Sequence, residues 1–140
     1  MAMHADMAPL AVERWETIAN TRDFALIDEL LADDVVFESP IVHTPQIGRA
    51  ITAKYLAAAV RILGGPKANF VRRWFADQSA VLELETEVDG VKVNAVDIIS
   101  WNAEGRINYF KVMVRPLKAI EIVHRAMGQL FADARAEDRS

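Results

Sequence analysis

Apolar residues recur along this chain with two different periods. From Pro9 to Leu31 and again from Ile47 to Leu63 they return every three or four positions, from Phe70 to Val114 they alternate with polar residues, and after Pro116 the longer period comes back. The longer period predicts amphipathic helices and the alternation predicts half-buried strands. Ala11, Val12, Trp15, Ile18 and Ala19 predict a first helix, with Pro9 in its first turn, where a backbone N–H would have no partner. Asn20 to Asp23 break the pattern. Asp23 is a candidate N-cap for a second short helix striped by Phe24, Ile27, Leu30 and Leu31. DDVVFESP, from Asp33 to Pro40, predicts a short strand ended by proline, followed by the loop IVHTPQ. A third helix, from about Ile47 to Leu63, would turn Ile51, Tyr55, Ala58 and Ile62 to one side, and Gly64, Gly65 and Pro66 stop it.

The alternating half predicts strands over Phe70–Phe75, Ala80–Val88, Val91–Trp101 and Arg106–Val114. Asp89-Gly90 and Ala103-Glu104-Gly105 supply tight turns, so the last three strands form an antiparallel meander. Arg115-Pro116 closes it, and Leu117, Ile120, Val123, Met127, Leu130 and Phe131 stripe a final helix. The charged end, Asp133 to Ser140, and residues 1–8 are expected to be flexible. Helices gathered ahead of an antiparallel sheet make an α+β domain, here one domain over residues 1–140. A twisted sheet wrapped around a long helix makes a cone-shaped α+β barrel whose open mouth suits a small ligand.

One residue breaks the alternation. In VNAVDIISW, Asp97 falls on the same face as Val93, Ala95, Ile99 and Trp101. An ionised carboxylate is costly to bury among hydrocarbon. Either a partner compensates, or the proton stays on, or that face lines a cavity. Burial would raise the pKa of such an acid. A structural aspartate bonded to a neighbouring hydroxyl, indole or backbone N–H is the plainer alternative.

Composition narrows the chemistry. The chain has no cysteine, which removes disulfides, thiolate nucleophiles and cysteine-held metals and fits a reducing, cytoplasmic setting. A net charge of −4 offers nothing to nucleic acid. No apolar run approaches the ~20 residues of a membrane span, and the N-terminal stretch lacks the basic-then-apolar order of a signal peptide. Three scattered histidines make no metal motif, no glycine loop opens a helix, and no cofactor is implied.

The stretches VERWETIANTRDFALIDELLADDVVFESP, IGRAITAKYLAAAV and VDIISWNAEGRINYFKVMV resemble the nuclear transport factor 2-like superfamily. That group includes SnoaL-like polyketide cyclases and ketosteroid isomerase, and the resemblance implies a cystatin-like α+β barrel. It places Asp97 where the isomerase has a carboxylic acid that donates to a developing oxyanion, an acid kept neutral by its apolar surroundings. It also puts Trp15 where the isomerase has its oxyanion-hole tyrosine, and Ser39 where it has its general-base aspartate. A serine hydroxyl does not abstract a carbon-bound proton unaided. Steroid isomerisation is therefore not implied. Ala95 stands where an epoxide hydrolase would need arginine.

Asp97 and His43 are the catalytic candidates, Asp97 as polar anchor or general acid and His43 as a proton partner from the loop at the mouth. His43 reads equally as a solvated loop histidine. His4 is terminal, and His124 reads as a helix-surface or dimer-contact residue. Trp15, Phe37, Ser39, Tyr55, Phe110 and Val112 are candidate pocket-lining residues, and the isomerase register puts Asn108, Phe110, Val112 and Val114 on the side of Asp97. The other face of the sheet carries Glu83, Glu85, Glu87, Lys92, Lys111 and Arg115 with Tyr109, Met113, Val96 and Ile98. That mixture suits either solvated cross-strand ion pairs or a self-complementary homodimer surface. The reading is a pocket for a small, largely apolar molecule, serving an isomerase-, cyclase- or lyase-type reaction. A non-catalytic binding module or structural dimer domain is the alternative.

Overall fold

The computed structural model describes residues 9–139, so His4 lies outside the described residues. Helix α1 spans Leu10–Thr21 and buries Ala11, Val12, Trp15, Ile18 and Ala19, the five positions of its apolar stripe. It ends at Arg22, which adopts the left-handed conformation at φ 58° and returns its N–H to the Ile18 carbonyl at 2.8 Å. A 3-10 turn, Phe24–Leu26, leads into the one-turn helix α2, Ile27–Leu30. Asp23 precedes the turn but makes no side-chain cap. The chain then extends as β1, Leu31–Glu38, so Leu31 belongs to a strand and not to the helix that the apolar spacing predicts.

The segment after Pro40 contains β2, Gln46–Ile47, a two-residue pairing too short to leave a periodic trace. Helix α3 runs Arg49–Leu63 and buries Thr52, Leu56, Ala58, Val60 and Leu63, while Ile51, Tyr55 and Ile62 are only half-buried. Four strands follow: β3, Asn69–Ala76; β4, Ser79–Val88; β5, Val91–Trp101; and β6, Ile107–Arg115. Helix α4, Leu117–Arg139, ends the described chain. It carries its helical backbone through the segment where the charged sequence predicts a frayed end. Ala132, Ala134 and Ala136 there are strong helix formers.

The strands form one six-stranded sheet in the order β2-β1-β6-β5-β4-β3. All pairings are antiparallel except β1 with β6, which is parallel, so the sheet is mixed and not purely antiparallel. Val93, Ala95, Asp97, Ile99 and Trp101 of β5 all point into the core, as the alternation requires. An irregularity between Ser100 and Trp101 shifts the register of β6, so that Ile107 pairs with Trp101 and is fully buried. Asn108 is thereby moved off the Asp97 side, and its amide oxygen accepts from the Ser100 hydroxyl at 2.7 Å.

The end of α1 is laced to the connection after α3. Gly65 N–H donates to the Ala19 carbonyl at 2.7 Å, Asn20 Nδ2 to the Ala68 carbonyl at 2.9 Å, and Arg22 Nη2 to the Gly64 carbonyl at 2.8 Å. Gly64 is required by proximity: a Cβ there would stand 2.4 Å from the Ala19 oxygen and 2.6 Å from the Val60 oxygen. This lacing holds α1 across the open inner face of the sheet, and α1 carries Trp15.

Candidate active site around Asp97

Asp97 sits mid-strand in β5, flanked in register by Leu82 of β4 and Val112 of β6. Its side chain is buried, with 5 % of the residue exposed. Trp15, on α1, turns its indole onto it, and Nε1 donates to Asp97 Oδ2 at 3.0 Å. The indole is held edge-on to Phe110, with ring centroids 4.8 Å apart. Phe110 in turn meets Phe37, and Phe37 meets Tyr55, so an aromatic chain runs from the acid outward.

Burial pushes the Asp97 pKa up to about 7. The Trp15 hydrogen bond opposes the shift by favouring the anion, and the nearby Glu16 carboxylate adds to it by repulsion. Glu16 itself is clamped by Arg73 of β3, whose Nε and Nη2 both donate to it at 2.6 Å. Near neutral pH a substantial share of Asp97 therefore carries its proton. Since Oδ2 accepts from the indole, the proton belongs on Oδ1, which has no hydrogen-bond partner among the described residues.

One small cavity adjoins this group, and a larger one shares part of its wall. The inner one, of about 30 Å³, is lined by Asp97, Trp15, Phe110, Phe70, Leu84 and helix residues of α1 and α3. The outer one, of about 200 Å³, is lined by Phe37, Ser39, Tyr55 and the α4 residues Val123, His124, Met127 and Phe131, among others. Ala59, Leu63 and Val112 line both. The walls are almost wholly apolar. Trp15, Phe37, Ser39, Tyr55, Phe110 and Val112 thus all lie on one cavity or the other.

The two remaining loop candidates behave differently. Ser39 reaches the outer cavity, but its Oγ accepts from the N–H groups of Ile41 and Val42 at 3.2 and 2.9 Å and so serves its own turn. His43 does not join Asp97. It is exposed in a hollow with Glu38, Lys111 and Met113 that shares Ser39, Pro40, Val42 and Val112 with the outer cavity, and His43 lines neither cavity described above. There Tyr109 donates its hydroxyl to Glu38, and Lys111 pairs with the same carboxylate at 3.2 Å, which together hold Glu38 below the usual carboxylate range. His124, which helical position alone marks as a surface residue, is the histidine that borders the outer cavity. Val123, Met127 and Phe131 recur at helical spacing, and that signal marks a buried stripe without saying that a cavity lies beneath it. Among the described residues no group of three acidic or histidine side chains is arranged to hold a metal.

A family model described as a SnoaL-like domain matches residues 12–110. The chain belongs to the SnoaL-like family. A steroid delta-isomerase from Pseudomonas aeruginosa shares 27 % identity with this SnoaL-like protein and superposes with a TM-score of 0.84, covering 90 % of this chain and 92 % of that one. An uncharacterised bacterial protein with a cystatin-like fold from Silicibacter pomeroyi shares 27 % identity at a TM-score of 0.82, over 91 % of this chain and 89 % of that one. The epoxide hydrolase/cyclase-like enzyme SalBIII, which acts in pyran ring formation in the polyether salinomycin, is similar in fold alone, at 21 % identity and a TM-score of 0.62 over 75 % and 88 % of the two chains. No functionally curated protein matches the chain in sequence. No helix among the described residues is long and apolar enough to cross a membrane.

Proposed function

We propose that this SnoaL-like protein binds a small, largely apolar carbonyl compound and uses Asp97 as a neutral hydrogen-bond donor and general acid in an isomerase-, cyclase- or lyase-type reaction. The observation that carries this reading is a buried carboxyl group with one oxygen held by Trp15 and the other unpartnered, among the described residues, beside an apolar cavity. A protonated Oδ1 would donate to a ligand oxygen and stabilise the charge that develops there on enolisation, in surroundings that strengthen the interaction. His124, at the rim of the outer cavity, replaces His43 as the histidine placed to exchange a proton with a bound molecule.

Titration of the Asp97 carboxyl carbon by NMR, with Asp97→Asn as the assignment control, tests the reading. A midpoint near 7 supports it, and a midpoint near the ordinary ~3.9 overturns the general acid.

One observation favours a second reading, a non-catalytic binding module: among the described residues no carboxylate other than Asp97 lines either cavity, and Ser39 is engaged by its own turn. Proton–deuteron exchange beside the carbonyl of indanone in heavy water separates the two. Protein-dependent exchange, abolished in Asp97→Asn, supports the enzyme, and binding without exchange supports the module.

A cytoplasmic homodimer joined through the outer face of the sheet belongs to the same proposal. Met113 is 51 % exposed there and Trp74 54 %, beside the half-buried Val96 and Ile98.

A further inference from the structure

The size and polarity of the space beside Asp97 specify its occupant more narrowly than the fold does. We infer that the site takes an uncharged molecule of one ring or two fused rings, with a single oxygen acceptor at one end, and that it rejects the four-ring scale. This inference rests on the pocket reading proposed above and sets its substrate class.

The inner space, about 30 Å³, is too small for a ring. It holds one polar group or a water or two, since a water needs roughly 10–15 Å³ of such volume. The outer space, about 200 Å³, falls below the ~300–1,000 Å³ of a drug-sized site. A dry apolar cavity of about 150 Å³ takes up benzene, which sets the scale of what fits here. The two spaces adjoin at Ala59, Leu63 and Val112. In the proposed pose the apolar body lies in the outer space and one terminal oxygen passes between these three side chains to Asp97.

Charge is set by the walls. Among the described residues no lysine or arginine lines either cavity. An anionic head would meet Asp97 with no compensating cation, and a cationic one would meet apolar walls and a carboxyl that is largely protonated at mildly acidic pH. The outer end of the body would pack against Tyr55 and Phe131, whose rings meet edge to face with centroids 5.2 Å apart. Lys54 lies over the Phe131 ring, 5.3 Å from its centroid, a cation–π contact that helps to hold this part of the wall.

The experiment is a ligand series read by the Trp15 indole N–H resonance of the full-length protein, assigned with Trp15→Phe. The probes are indanone and tetralone, their oxygen-free counterparts indane and tetralin, indane carboxylate, and androstenedione. Indanone and tetralone are expected to shift the resonance in a saturable way, and to bind at least ten-fold more tightly than the other four. Androstenedione binding as tightly as tetralone overturns the size limit while the pocket reading stands. Equal binding of tetralin and tetralone overturns the oxygen contact, and equal binding of indane carboxylate overturns neutrality. If no probe of any size moves the Trp15 signal, the pocket reading itself fails and the inference falls with it.

Discussion

Trp15 and Asp97 stand 82 positions apart in the chain, yet the indole N–H of one donates to the carboxyl oxygen of the other at 3.0 Å inside the core. The bond satisfies one oxygen of a buried acid and leaves the second without a partner among the described residues. Removing the donor by Trp15→Phe takes away a contact that favours the anion, so the Asp97 pKa should rise further above about 7. The change also leaves a buried oxygen without its donor and a smaller ring against Phe110, and the expected loss of stability is about 1–3 kcal/mol. NMR titration and chemical denaturation of the variant check both effects.

Asp97 should give the fold a recognisable pH dependence. Its pKa is raised on folding from 3.8 to about 7, so the folded state holds the proton more tightly than the unfolded state. The associated stability is complete below the unfolded value, declines as pH rises from about 4 to about 7, and is constant above that. In Asp97→Asn this component is absent. The difference in unfolding free energy between the wild type and Asp97→Asn, measured by urea titration across this range, should therefore shift against the wild type by a few kcal/mol as pH rises.

Glu16 raises the Asp97 pKa from outside the cavities. Glu16→Gln should lower it, and the wild-type difference should shrink in high salt only weakly because Asp97 is buried. The same substitution releases Arg73 from its two-pronged bond, but that pair is partly exposed, so the loss of stability should stay within about 1 kcal/mol. A shift in the Asp97 titration midpoint with little change in the denaturation midpoint is the expected signature.

Thr52 places its hydroxyl in the core of α3, fully buried, with no hydrogen-bond partner among the described residues. A buried polar atom left unpaired costs about 1–3 kcal/mol, and valine has nearly the same shape. Thr52→Val should be neutral to stabilising, by up to about 1 kcal/mol, and should raise the thermal midpoint without moving the Asp97 titration.

Gly64 is the opposite case. Gly64→Ala would drive a methyl group into the Ala19 and Val60 carbonyls, both backbone atoms unable to swing aside. The expected cost is about 1–3 kcal/mol. Because the same carbonyl of Ala19 anchors α1 to the loop after α3, the variant should also disturb the Trp15 indole resonance.

Several parts of this architecture can be read directly from residue spacing. β5 begins and ends where its alternation does, and Asp97 is buried because its neighbours two residues either way are buried. Other parts are not encoded in periodicity. The partner of a strand is one of these: nothing in DDVVFE announces that β1 lies parallel to β6. The displacement of Asn108 comes from a local irregularity in pairing, which alternation cannot register. Helix α3 is rich in alanine and apolar around most of its circumference, so its spacing selects Ile51, Tyr55 and Ile62 about as well as the Thr52, Leu56 and Leu63 that are buried. For the site, Trp15 and Asp97 are both visible as misplaced or oversized residues in their elements. Which histidine approaches the cavity depends on the course of the turn at Ser39 and on how α4 crosses the mouth, and neither is a property of the residues nearest the histidines.

The parallel pairing of β1 with β6 has a kinetic consequence. Phe37 finds Phe110, and Val36 finds Tyr109, only after more than half the chain has been brought between them. Contacts of such long sequence separation require the chain to surrender much of its freedom before they return any energy, and folds dominated by them reach the native state on the slower, millisecond-to-second scale of two-state domains. During synthesis β1 must therefore remain without this partner until β6 has left the ribosome. The exposed charges within it, Asp33 and Asp34, and the proline that follows it, Pro40, are well suited to keeping a waiting strand from pairing elsewhere.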